Sequence, residues 1–192
     1  MRLIVGISGS TGAIYGVRLL QVLRDVPDVE THLVLSDAAR VTIDFETEFS
    51  TDEVSGWADH VHGSRDIGAS ISSGSFVTAG MVIAPCSIRT LSAVANSLND
   101  NLLTRAADVC LKERRKLVMV LRETPLHLGH LRLMLDVTRA GAVMLPPLPA
   151  FYHKPQTVLD VVDHTVGKIL DQFGIHLDLF ERWSGLPSGL FG

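Results

Sequence analysis

Cysteine is scarce: Cys86 and Cys110 are the only two in 192 residues. No disulfide framework can carry the fold, which must rest on packed apolar side chains. Charge is also low, with 17 Lys and Arg against 21 Asp and Glu, a net charge of −4, and 20% charged residues in all. Such a chain offers no dense basic face, so neither nucleic acid nor an anionic membrane is an expected partner. No run approaches the ~20 apolar residues that cross a bilayer, so no membrane span is expected. The start, Met1-Arg2-Leu3-Ile4-Val5-Gly6, lacks the apolar stretch of a signal peptide. Thiols in apolar contexts and the missing export signal predict a cytoplasmic location. Repeats and low-complexity tracts are absent, and the proline-rich run Pro146-Pro147-Leu148-Pro149 is too short to act as a linker between domains. What is present is 46% apolar residues, enough to fill one domain and too few for a pair of ordinary size. The expectation is a single domain over 1–192, with residues 174–192 as a C-terminal tail. The low charge fraction points to surface buried against other subunits.

Apolar periodicity predicts strand and helix in alternation. Strands are expected at 2–8, 29–35, 81–84, 117–121 and 142–145. Helices are expected at 13–23, 38–45, 87–96, 103–115, 126–139 and 157–173, with a more polar middle between 46 and 80. Repeated strand-then-helix order implies parallel strands joined by right-handed crossovers. The predicted class is therefore α/β, a three-layer Rossmann-like (flavodoxin-like) parallel sheet in one domain. Strand order is not readable from these patterns.

Chemistry-bearing residues gather where strands end, the place where open parallel sheets bind ligands. Arg122-Glu123-Thr124-Pro125 follows the strand Leu117–Leu121. A guanidinium there can grip a phosphate in a fixed fork, and a carboxylate shielded from water can move protons. The bland alternative for this pair is a helix cap with local ion pairing. The first strand runs into Gly6-Ile7-Ser8-Gly9-Ser10-Thr11-Gly12-Ala13, a glycine-rich turn opening a helix, where backbone N–H groups can seat an anion. It matches neither the dinucleotide fingerprint nor a P-loop, and its hydroxyls favour a mononucleotide or flavin. Ser36 ends the second strand, and Pro85-Cys86-Ser87-Ile88-Arg89-Thr90 ends the third predicted one. Each hydroxyl could be an ordinary cap; three such ends in one sheet favour a phosphate-bearing ligand. Cys86 has no neighbouring base and reads as a packing thiol. His127 and His130 stand three apart without a third ligand, so no metal is expected. Past the last strand, Tyr152, Lys168 and Trp183 offer a second phosphate clamp with aromatic cover, or else a solvated surface.

Together these motifs resemble the UbiX-type flavin prenyltransferases, once described as small subunits of aromatic-acid decarboxylases. The residues carrying the resemblance are Gly9-Ser10-Thr11-Gly12-Ala13, Ser36, Pro85-Cys86-Ser87, Arg105 to Val109, Leu111 to Arg114, Arg122 to Pro125 and Pro149 to His153. They span the chain from the first strand to about Trp183. The resemblance implies a single flavoprotein domain, assembled as a homododecamer that binds reduced FMN between subunits and attaches a dimethylallyl group to flavin N5 and C6, without metal. The donor would be dimethylallyl monophosphate, or the diphosphate, and the product prenylated FMN, the cofactor of UbiD-type decarboxylases. It further implies that Gly9, Ser10, Thr11, Ser36, Ser87, Ile88, Arg89, Thr90 and Arg122 hold FMN. Tyr152, Lys168, Arg105 and Trp183 would bind the donor. Glu123, Thr11, Lys112 and Glu46, the last from a neighbouring subunit, would serve catalysis. Two departures stand out: Thr11 where many members have Ser, and Lys168 where many have Arg, replacing a bidentate fork by a point charge.

Two other functions fit some of this pattern. One is an FMN-dependent decarboxylase of cysteine-type substrates, although its catalytic His after the second strand is missing, the positions there reading Ser36-Asp37-Ala38. The other is a non-catalytic flavin-binding subunit of an aromatic-acid decarboxylase.

Overall fold

In a strand, successive side chains point to opposite faces, so a strand buried on both sides must be apolar at every position. β1 (Arg2–Ile7), β2 (Glu30–Leu35), β4 (Gly80–Cys86) and β5 (Lys116–Leu121) meet this condition along nearly their whole length. They divide their side chains between two cores. Leu3, Val5, Ile7, Leu33, Leu35, Val82, Val118 and Val120 pack on one face against α1 (Ala13–Leu23) and α7 (Val158–Asp171). Ile4, Val34, Met81, Ile83, Leu117 and Met119 pack on the other against α4 (Ile88–Ala95) and α5 (Leu102–Lys112). The chain was characterised as a computed structural model that describes residues 1–185. Of the tail expected over 174–192, residues 186–192 lie outside the described residues.

The three-layer parallel sheet expected from periodicity is observed. Among the described residues, six parallel strands stand in the order β3-β2-β1-β4-β5-β6, with β3 at His60–His62 and β6 at Val143–Met144. The direction of winding reverses between β1 and β4, which opens a crevice at their carboxyl ends. The remaining helices are α2 (Asp37–Glu46), α3 (Thr51–Ser55) and α6 (Leu128–Ala140). The predicted helix 13–23 matches α1 to the residue, and other boundaries shift by up to three. The polar middle hides three elements that periodicity did not reveal, α3, β3 and a single 3-10 turn at Ser70–Ser72. β3 reads His-Val-His, is only three residues long and is a sheet edge, so no apolar alternation marks it.

Ser8 fixes the two central strand ends together. Its hydroxyl donates to the Pro85 carbonyl at 2.9 Å and accepts from the Ser87 N–H at 2.7 Å, and the residue is 1% exposed. Ser8→Ala would leave the Ser87 N–H without its partner beside the crevice. The expected cost is about 1–3 kcal/mol, read as a lower urea midpoint at unchanged m-value.

Candidate active site

Five strand ends and three helix starts surround one cavity of about 590 Å³. It is lined by Gly9, Ser10 and Thr11 after β1, Ser36 after β2, Ser87 to Thr90 after β4, and Arg122 and Glu123 after β5. All nine residues expected to hold FMN, and Glu123, thus meet in one place. Arg122 and Glu123 are not a helix cap: α6 begins at Leu128, and His127 caps it by accepting from the Gly129 N–H at 3.0 Å. Glu123 is half-buried, and its Oε1 accepts from the Thr124 N–H at 3.0 Å. That bond orients the carboxyl and leaves Oε2 for other work.

The hydroxyl-bearing strand ends prove to be caps and cavity wall at once. Ser36 Oγ accepts from the Ala39 N–H at 3.1 Å, and Ser87 Oγ accepts from the Thr90 N–H at 3.2 Å while donating to Thr90 Oγ1 at 3.0 Å. Capping and ligand contact are compatible, since a hydroxyl has one proton and two lone pairs. Ser10 Oγ is buried without a hydrogen-bond partner, a polar atom that a bound ligand would satisfy. At the rim, Arg89 stands 3.7 Å from Asp100 and Arg65 3.5 Å from Asp37, all largely exposed. Such exposed pairs hold weakly and can exchange their acid for a phosphate.

One expected anion seat is already taken. Gly12, with φ 93°, turns the chain into α1, and the N–H groups of Gly12 and Ala13 donate to Glu46 Oε2 at 2.8 and 3.2 Å. The carboxylate satisfies the positive end of the α1 dipole where a phosphate was expected. Within this chain Glu46 therefore reaches its own first turn. Arg122 packs close by: a Cβ on Gly12 would lie 3.9 Å from Arg122 Cγ. Burial pushes the Tyr15 phenol above its ordinary range, and the Arg122 guanidinium opposes the rise.

The residues expected to grip the donor lie elsewhere on the chain. Tyr152 Oη is 3.2 Å from His164 Nε2 on α7, and its ring meets Trp183 edge-on at 5.8 Å. Lys168 sits in the last turn of α7, 3.6 Å from Asp171. Arg105 bonds the Ser72 carbonyl at 3.1 Å and Asp108 at 3.2 Å. Lys112 pairs with Glu113 at the end of α5 that leads into β5, and so at the amino edge of the sheet. None of these side chains lines the cavity of its own chain.

Asp171 anchors the start of the tail, accepting from Arg182 at 2.8 Å and from His176 at 2.7 Å, and the Arg182 bonds hold its carboxyl down at about 2. A depressed folded-state value stabilises above the ordinary 3.8 and is lost as pH falls through 2. The tail is therefore expected to loosen between those limits. Trp183 emission should report the change there, and Arg182→Ala should abolish it.

Both thiols are buried, and burial pushes Cys86 far up and Cys110 up to about 12. They are packing thiols, as Cys86 was read. Sequence reasoning missed Ser64, Arg65, Asn101 and Thr104 in the wall. Asn101 caps α5, accepting from the Thr104 N–H at 3.0 Å. An Asn directly before an apolar-periodic run is a helix-start signal that could have found it. Ser64 and Arg65 follow β3 and carried no such signal.

The Flavoprotein family profile matches residues 1–171. A flavin prenyltransferase UbiX from Escherichia coli is 67% identical over 186 residues, covering 96% of this chain and 98% of the relative. The chain belongs to the UbiX flavin prenyltransferase family. Two solved UbiX-type structures superpose on it closely. AnUbiX, in complex with FMN and dimethylallyl pyrophosphate, gives a TM-score of 0.95 at 49% identity, covering 97% of this chain and 98% of that one. A dodecameric FMN-dependent UbiX-like decarboxylase from Escherichia coli gives 0.95 at 52%, covering 96% and 100%. No helix among the described residues is long and apolar enough to cross a membrane.

Proposed function

We propose that this chain transfers a dimethylallyl group from dimethylallyl phosphate to N5 and C6 of reduced FMN, making prenylated FMN for a UbiD-type decarboxylase in the cytoplasm. The observation that carries the reading is the single cavity in which all nine predicted FMN residues meet Glu123, in a chain of the UbiX family. The residues present fit the flavin: serine and threonine hydroxyls, helix-start N–H groups and guanidinium groups suit a phosphate and a polar ring edge. The orphaned Ser10 Oγ supports the same fit.

When bound, reduced FMN supplies the nucleophilic ring positions that accept the dimethylallyl group. Gly9, Ser10, Thr11, Ser36, Ser87, Ile88, Arg89, Thr90 and Arg122 would hold it. As the donor's allylic C–O bond breaks, its electron pair leaves on phosphate, where cations and hydroxyl donors stabilise the developing charge. Tyr152, Lys168, Arg105 and Lys112 have that chemistry. Because they stand outside this chain's own cavity, further copies of the chain would bring them to it, in keeping with a homododecamer like the Escherichia coli relative. Trp183 would exclude water from the allylic carbon. Glu123, with Oε1 held by Thr124, would take or give the proton at Oε2. Thr11 lines the same cavity as Glu123, and Glu46 would act by fixing the first turn of α1. Thr11 keeps the hydroxyl of the more frequent Ser with a stiffer side chain.

The test is anaerobic incubation with reduced FMN and dimethylallyl monophosphate, followed by mass spectrometry of the released flavin. A flavin heavier by one prenyl unit is expected. Unchanged flavin mass from folded, FMN-binding protein, with either the mono- or the diphosphate donor, would overturn the proposal.

A further inference from the structure

Away from the cavity, at the amino end of β2, three histidines and a glutamate crowd the sheet edge. Glu30 and His32 are alternate residues of β2 and share a face, and β3 pairs beside them with His32 opposite His60 and Val34 opposite His62. Glu30 Oε1 lies 3.2 Å from His32 Nε2 and 3.1 Å from His60 Nε2. The three ligand atoms all fall within 4.8 Å of one another. Ligands about 2.1 Å from a tetrahedral zinc ion stand roughly 3.4 Å apart, so two of the three pairs already have the spacing of a coordination shell.

Each inner ligand is also held from behind. Glu30 Oε2 accepts from Arg2 Nε at 3.1 Å, which turns Oε1 toward the histidines. His32 Nδ1 is 3.0 Å from His62 Nε2; with Nδ1 donating there, Nε2 keeps its lone pair for a metal. His32 is 3% exposed, stacked on His60 at 4.6 Å and set edge-on to Phe76 at 5.2 Å. Oriented ligands with such outer partners are the usual build of a protein metal site.

We propose that Glu30, His32 and His60 bind one divalent transition-metal ion of the zinc class, with the fourth position open to water, and that the ion clips edge strand β3 to β2. Two imidazoles and a carboxylate select such an ion over magnesium or calcium, which prefer oxygen alone. The site is structural: at about 3.3 Å per residue, Glu30 is roughly 20 Å along β2 from Ser36 at the cavity. It is therefore separate from the cavity of its own chain.

The competing arrangement is a carboxylate that merely accepts N–H bonds from two imidazoles. Tag-free full-length protein, stripped with chelator and desalted, should take up one Zn2+ per chain in a calorimetric titration with ZnCl2. Saturation should raise the melting temperature by about 5 °C or more, and Co2+ should give the visible absorption of a four-coordinate site. His60→Ala and Glu30→Gln should each abolish saturable binding, and His62→Phe should weaken it about 10–100-fold by removing the support of His32. Circular dichroism of each stripped variant confirms folding, and Glu30→Gln stands in should His60→Ala fail to fold. Absence of saturable Zn2+ uptake by the parent protein would overturn the proposal. So would uptake that survives both His60→Ala and Glu30→Gln, which would place the ion on another histidine pair, such as His127 with His130.

Discussion

Glu123→Gln is expected to slow prenyl transfer by about 10²–10⁴-fold, the usual worth of a positioned proton carrier, while FMN binding is retained. Glutamine matches glutamate in shape, and its carbonyl oxygen can still accept from the Thr124 N–H, as Glu123 Oε1 does at 3.0 Å. What it cannot do is take up and release a proton at the Oε2 position. The loss should therefore appear in turnover under saturating donor and reduced flavin, with little change in flavin affinity by fluorescence titration. Chromatography of the flavin pool over time gives the rate directly. Unchanged turnover would remove Glu123 from the chemistry. Unchanged activation of a partner decarboxylase by a variant that forms no prenylated flavin would favour the non-catalytic subunit instead.

Gly9→Ala should cost both stability and flavin affinity. A Cβ on Gly9 would lie 2.2 Å from Ala38 Cβ and 3.0 Å from the Ala38 carbonyl carbon. No real pair of atoms tolerates the first distance, and the second involves backbone, which cannot swing aside as a long side chain would. The start of α2 must then move, and with it Ser36, Asp37 and Ala38, all in the cavity wall. Overpacking of this kind costs about 1–3 kcal/mol, and a shifted wall should weaken FMN at least tenfold, about 1.4 kcal/mol. Urea unfolding and flavin fluorescence measure the two effects separately. Ala38→Gly in the same chain removes the nearest obstacle and should recover some of both losses. A Gly9→Ala protein as stable and as tight for FMN as the parent would show that the β1 turn and α2 are not in register at this contact.

The two experiments probe different levels of the same site. Glu123 would contribute a proton-carrying group, legible in sequence because it follows an apolar run that had to be a strand. Gly9 contributes only the absence of a side chain, and its reason becomes visible once α2 is known to lie against the β1 turn. The same division holds elsewhere. Ser36 and Ser87 were read as ligand contacts or caps, and they are caps whose oxygens also face the cavity. Asn101 carried a cap signal and was passed over, because a helix start announces itself locally while its neighbours do not.

By itself the sequence determined the alternation of strand and helix, the parallel three-layer class, the positions of the strand ends and the family whose motifs they carry. These are local properties: side-chain period sets the element, and a glycine, hydroxyl or arginine just past an apolar run is placed by that element alone. Only the tertiary structure decided the strand order β3-β2-β1-β4-β5-β6, and so which ends share a cavity. It decided that Glu46, not a phosphate, satisfies the first turn of α1, and that Tyr152, Lys168 and Arg105 stand outside the cavity of their own chain. It also brought Glu30 and His32 against His60, about thirty residues further along. Those outcomes depend on pairings between distant segments, which are chosen by the packing of whole faces and leave no mark in the spacing of the residues they bring together.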